Sequence, residues 1–175
     1  MRAGFLSFIL LISSLWGDGS GAKVLKGQEF QTYTHNGYLT IYETDFTDFL
    51  HVNGSLQGSR CQIFELQVNG EASLHECVIH GPMMIKGALI ADHSVFQGPI
   101  ILTANTVTFD RCAITDSIEV RSVGSEEGKQ VIKMTNGAVV QGNITFNSKN
   151  GEVHLSKDSR VCGGVVGGRI RLFAQ

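Results

Sequence analysis

The sequence predicts an all-β, single-stranded parallel β-helix of about 16–18 residues per coil, on three observations. First, one phrase recurs: an apolar residue, a variable residue, two turn residues and an apolar residue. It is centred on Gly81, Gly98, Asp116, Gly142 and Gly163. Two places before these stand Ile79, Phe96, Ile114, Val140 and Val161; two places after stand Met83, Ile100, Ile118, Ile144 and Val165. Second, Gly54, Gly70, Gly87 and Asn105 recur at similar intervals, and all are residue types that tolerate positive φ. Seven places after each of these come Cys61, Cys77, Ser94 and Cys112. Third, Leu66-Gln67-Val68 and Ile118-Glu119-Val120 alternate with the period of a strand, and no segment beyond residue 22 carries a long helical stripe. A coil of this length holds three short strands, with storeys ~4.8 Å apart. Each column is then the same corner, one storey higher.

In chain order, residues 1–22 read as a secretory signal peptide: Arg2, an apolar run over residues 5–16, and a small-residue tail cleaved between Ala22 and Lys23. The run is shorter than the ~20 residues that a span needs, so no membrane span is expected after cleavage. This implies a secreted or periplasmic protein. Residues 23–37 are expected to form an amino-terminal lead or cap, with Tyr38, Tyr42, Phe46 and Phe49 closing the first coil. The β-helix domain is assigned to 38–175, in six to seven coils, with a polar loop inserted at 121–130. Its core should hold Val52, Leu56, Ile63, Val68, Ile79, Ile85, Leu89, Phe96, Ile100, Val107, Ile114, Ile118, Val140, Ile144, Val153, Val161 and Val165. Ile90, Phe96, Leu102, Thr108, Ile114 and Val120 fall every sixth place, as in left-handed hexapeptide coils, but that frame fails on either side. A right-handed coil is therefore favoured.

The phrases "HVNGSLQG", "LQVNGEASL" and "VVQGNITF", within a stretch of roughly 50–172, resemble bactofilins in their glycine-and-aliphatic rhythm. That resemblance implies a short-rung right-handed β-helix that polymerises end to end without nucleotide and has no catalytic residue to carry over. The expected signal peptide departs from the cytoplasmic scaffold role of that family.

The net charge is −2 with acids and bases scattered, which argues against a nucleic-acid binder. Cys61, Cys77 and Cys112 should form a stacked, buried thiol column. Cys77 and Cys112 lie about two storeys apart, beyond disulfide reach, and only Cys61 and Cys77 are close enough to bond. Cys162 should point outward, and no Cys pair has structural-zinc spacing, so neither metal nor cofactor is expected. Arg60, Glu76, His93 and Arg111 each precede the thiol column and should form an exposed ladder, while the six histidines are expected not to converge. Sequons at Asn53 and Asn143 fall in corners where Asn serves the backbone.

The leading functional expectation is a non-enzymatic extracytoplasmic structural or interaction protein, a component of the cell envelope, that forms homo-oligomers through its solenoid ends. Ile170, Leu172 and Phe173 form the expected stacking interface, because an uncovered strand edge pairs readily. The alternatives are a surface adhesin or ligand-binding module, a polysaccharide-active β-helix enzyme, and an acyltransferase of the hexapeptide type with His93 as its base.

Overall fold

The computed structural model describes residues 20–122 and 128–173. Among the described residues, 20 strands form one parallel sheet, wound into a β-solenoid of about 9 turns, and there is no helix. The first elements are long strands that bend round corners: β1 (Ser20–Lys26), β2 (Glu29–Tyr42), β3 (Asp45–Ser59) and β4 (Gln62–Val68). After β5 (Ala72–His75) each storey is cut into three short strands. These are β6 (Val78–Ile79), β7 (Met83–Lys86) and β8 (Leu89–Asp92), then β9 (Val95–Phe96), β10 (Ile100–Thr103) and β11 (Thr106–Asp110). The next are β12 (Ala113–Ile114), β13 (Ile118–Arg121) and β14 (Gln130–Thr135), then β15 (Val139–Val140), β16 (Ile144–Phe146) and β17 (Gly151–Leu155). The last storey holds β18 (Arg160–Val161), β19 (Val165–Val166) and β20 (Gly168–Leu172).

The register stacks the residues that the repeat aligns: Ile79 on Phe96, Ile100 on Ile118, and Ile118 on Ile144. Gly98 lies over Gly81 so closely that a Cβ on Gly98 would overlap the Gly81 carbonyl. Within each strand burial alternates, and the inward members form one continuous apolar core. Every predicted core residue through Val153 is buried; Val161 and Val165, in the last storey, are half-buried against the core.

Nine storeys replace the expected six to seven, and the ladder already begins at Ser20. Residues 23–37 therefore contribute strands, with β1 in register with the second half of β2. Their apolar rhythm is masked because Lys23 stands under Leu39 at the foot of an inward column, its Nζ 5.1 Å from the centre of the Tyr33 ring. Phe30, Tyr33 and Phe46 pack together at this end, ring centres 5.0 to 6.2 Å apart. Of the four aromatics expected to close the first coil, Phe46 is buried, whereas Tyr38 faces solvent at 45 % exposure. Residues 1–19 of the expected signal peptide and 123–127 of the expected loop lie outside the described residues. Ala22 and Lys23, the expected cleavage point, stand in β1 beside Tyr38 and Leu39.

Candidate functional site

One corner repeats up the solenoid with a shared backbone rule. Glu43, Arg60, Glu76, His93, Arg111 and Asn136 all take positive φ, between 47° and 54°. The residue after each of the first five carries a hydroxyl or thiol that donates back across the corner. Thr44 Oγ1 donates to the Tyr42 carbonyl at 3.0 Å, Cys61 Sγ to Ser59 at 3.2 Å and Cys77 Sγ to His75 at 3.3 Å. Ser94 Oγ donates to Asp92 at 2.9 Å and Cys112 Sγ to Asp110 at 3.2 Å. The Ser59, His75, Asp92 and Asp110 carbonyls also accept the amides of Glu43, Arg60, Glu76 and His93 from the storey below. Both lone pairs of each are thus engaged.

Cys61, Cys77 and Cys112 are buried free thiols and Cys162 is exposed. The hydrogen bond with Cys61 raises the Cys77 thiol, and burial adds to it; burial pushes Cys112 up to about 12. Cys77 and Cys112 therefore stay protonated and unreactive at neutral pH.

The left-handed corner also turns its side chains back along the preceding strand end, and this gathers histidines that the sequence reading left apart. His75 and Asp92 are register partners, with His75 Nδ1 2.8 Å from Asp92 Oδ2. His93 Nδ1 lies 2.9 Å from Asp92 Oδ1, and the two rings meet edge to face at 5.9 Å. Arg111 Nη2 donates to the same carboxylate at 3.2 Å. Burial opposes ionisation of Asp92, but hydrogen bonds from His93, His75 and Arg111 outweigh it and hold the carboxyl below its usual range. The signal was present in the chain: His75 and Asp92 lie one turn apart, in the column just before the Arg60–Glu76–His93–Arg111 ladder. That ladder is exposed as expected, but two of its members, His93 and Arg111, meet at Asp92.

A second charged cluster sits near the last storey. Glu152, whose side chain is 1 % exposed, meets Lys129 Nζ at 2.7 Å, His154 Nε2 at 2.8 Å, Arg169 Nη2 at 2.6 Å and Arg171 Nε at 2.7 Å. The hydrogen bonds from His154 and Lys129, with those from the two arginines, hold its carboxyl well below the usual range against the cost of burial. The arginines belong to β20, so this cluster fastens the last strand to β17.

Beyond β20 no strand follows among the described residues. Ile170 and Leu172 continue the inward columns of Val153 and Leu155, yet are 49 % and 78 % exposed, with no storey over them among the described residues. Phe173 stands apart from them, with Lys133 Nζ 5.6 Å from its ring centre. At the amino end, by contrast, Leu25 is 5 % exposed.

On the outer face, a groove of about 260 Å³ is lined by Tyr38, Gln57, Ser73 and Ile90, with Glu71 as its carboxylate. The sequon amides are engaged: Asn53 Nδ2 donates to Asn36 Oδ1 at 2.9 Å, and Asn143 Oδ1 accepts from the Gly164 amide at 2.8 Å. No helix among the described residues is long and apolar enough to cross a membrane. No protein-family model, no curated protein and no solved structure matches the chain.

Proposed function

We propose that this chain is a non-enzymatic, extracytoplasmic structural or interaction protein that self-associates through the carboxyl end of its solenoid. The observation that carries the reading is the exposure of Ile170 and Leu172 at inward positions, where every earlier storey is covered. An open edge of parallel strand with apolar side chains beside it is a template for a further strand. Arg169 and Arg171 do not oppose this approach, because Glu152 holds both guanidinium groups against the side of the coil.

The two ends differ in a way that selects the geometry. Lys23 at an inward position and the Phe30–Tyr33–Phe46 cluster close the amino end, an inward charge being one of the devices that protect sheet edges. Two carboxyl ends therefore meet, and the assembly stops at a dimer related by a two-fold axis. The resemblance to bactofilins supports association through solenoid ends, with a closed dimer here in place of an endless polymer. The apolar segment over residues 5–16 and the small residues up to Ala22 support export to the periplasm or medium.

The test is light scattering on the chain recovered from the periplasm or medium of exporting cells. A dimer is expected for the native sequence and a monomer for the Ile170→Lys/Leu172→Lys variant. A monomer in both would overturn the end-pairing, filaments would overturn the closed amino end, and retention in the cytoplasm would overturn the location.

A further inference from the structure

The cluster at Asp92 plays no part in end pairing, and its chemistry is that of a cation site. We propose that His75, Asp92 and His93 bind a divalent transition-metal cation of the zinc type. Each residue offers one ligand atom, and the three atoms lie within 4.8 Å of one another. Two imidazoles and a carboxylate form a ligand set that suits zinc, leaving a fourth tetrahedral position for water.

The backbone fixes all three positions. His75 and Asp92 are held one storey apart by the parallel register of β5 and β8, and His93 is held by its left-handed corner at φ 48°. Donors bound to one zinc at ~2.0–2.1 Å lie roughly 3.3 Å from each other, so each 2.8–2.9 Å contact with Asp92 opens slightly as the ion enters, an adjustment that side-chain rotation supplies at an exposed corner.

The surrounding charges favour a cation. Glu76 Oε1 lies 3.7 Å from His75 Nε2, and Asp110 stands in register above Asp92, so three carboxylates face one guanidinium. Arg111 is the competitor, at 3.2 Å from Asp92 Oδ1. It has a second seat on Asp110, whose Oδ2 is already 3.5 Å from its Nη2, and moves there when the cation takes Asp92.

Titration calorimetry of the untagged full chain with ZnCl2, and visible absorption with Co²⁺, test the site. One ion per chain is expected, with tetrahedral cobalt absorption. His75→Gln and His93→Asn should each weaken binding by at least about tenfold. Asn suits the left-handed corner, so the melting temperature of His93→Asn should hold while its affinity falls. Arg111→Asn should tighten binding by removing the competitor, and Cys162→Ser should leave it unchanged. The proposal is overturned if zinc does not bind, if the His75→Gln/His93→Asn double variant binds as the native chain does, or if Cys162→Ser abolishes binding.

Discussion

Cys112 illustrates how a residue's place in a repeat hides its chemistry. Treated as a small hydrophobe it explains burial, but not why Thr, Cys, Cys, Ser and Cys succeed one another over Thr44, Cys61, Cys77, Ser94 and Cys112. The shared property is a hydrogen-bond donor aimed two residues back at a strained corner. Cys112→Ser should therefore be close to neutral, whereas Cys112→Val should lose about 1 kcal/mol in urea unfolding, the usual net worth of one hydrogen bond. The buried thiol also sets a pH dependence. Its folded pKa of about 12 lies above the unfolded value near 8.5, so the unfolded chain gives up its proton first as pH rises. The stability it contributes is complete below about pH 8.5 and is lost between there and about pH 12. Chemical denaturation across this window should show less alkaline loss in Cys112→Ser than in the native chain.

At the scale of the corner, the two glycine columns work for different reasons. Gly98 and Gly163 lack room for a Cβ against the storey beneath, whereas Gly54 lacks room and also takes φ 142°, a conformation side chains rarely adopt. A Cβ there would overlap the Gly37 carbonyl oxygen. Gly54→Ala should cost at least about 2 kcal/mol, since steric overlap adds to backbone strain. Gly27, at φ 60° with nothing within 4 Å of a built Cβ, supplies the contrast. Gly27→Asn should stay within about 0.5 kcal/mol, because Asn visits the left-handed region and the space is open. Paired thermal melts of the two variants measure the difference. The glycine periodicity was visible in the chain; which glycines answer to φ and which to packing was not, because a residue letter does not reveal the sign of its dihedral.

For the whole molecule, stability is close to a sum over storeys and the interfaces between them, so an end storey can loosen alone. Among the described residues the last storey is attached on one side only, with half-buried Val161 and Val165 and with β20 fastened through Glu152. Glu152→Gln removes the charge that Lys129, Arg169 and Arg171 surround. Hydrogen exchange should then accelerate in residues 160–172 while β7 and β8 keep their protection. Acceleration along the entire chain would mean that the solenoid opens as one unit.

The repeat was legible because a stacked coil forces chemically like residues into columns, and five copies of the Gly81 phrase with their flanking aliphatics define those columns without further information. The core followed directly, since inward positions alternate with outward ones along each strand. The first described storey escaped notice because Lys23 occupies an inward position and aromatics replace the aliphatic rhythm there. The Asp92 cluster needed the neighbouring column to be stacked as well, and the direction in which a left-handed corner turns its side chain. By itself, then, the sequence determined the coil, its approximate period and its inward face, all of which depend on residue spacing along one chain. Only the tertiary structure decided the number of storeys, the donor rule of the corners, the meeting of His75 with His93 and the exposure of Ile170 and Leu172 at inward positions. Each of those depends on dihedral sign or on what lies one storey away, and the order of residues along the chain carries neither directly.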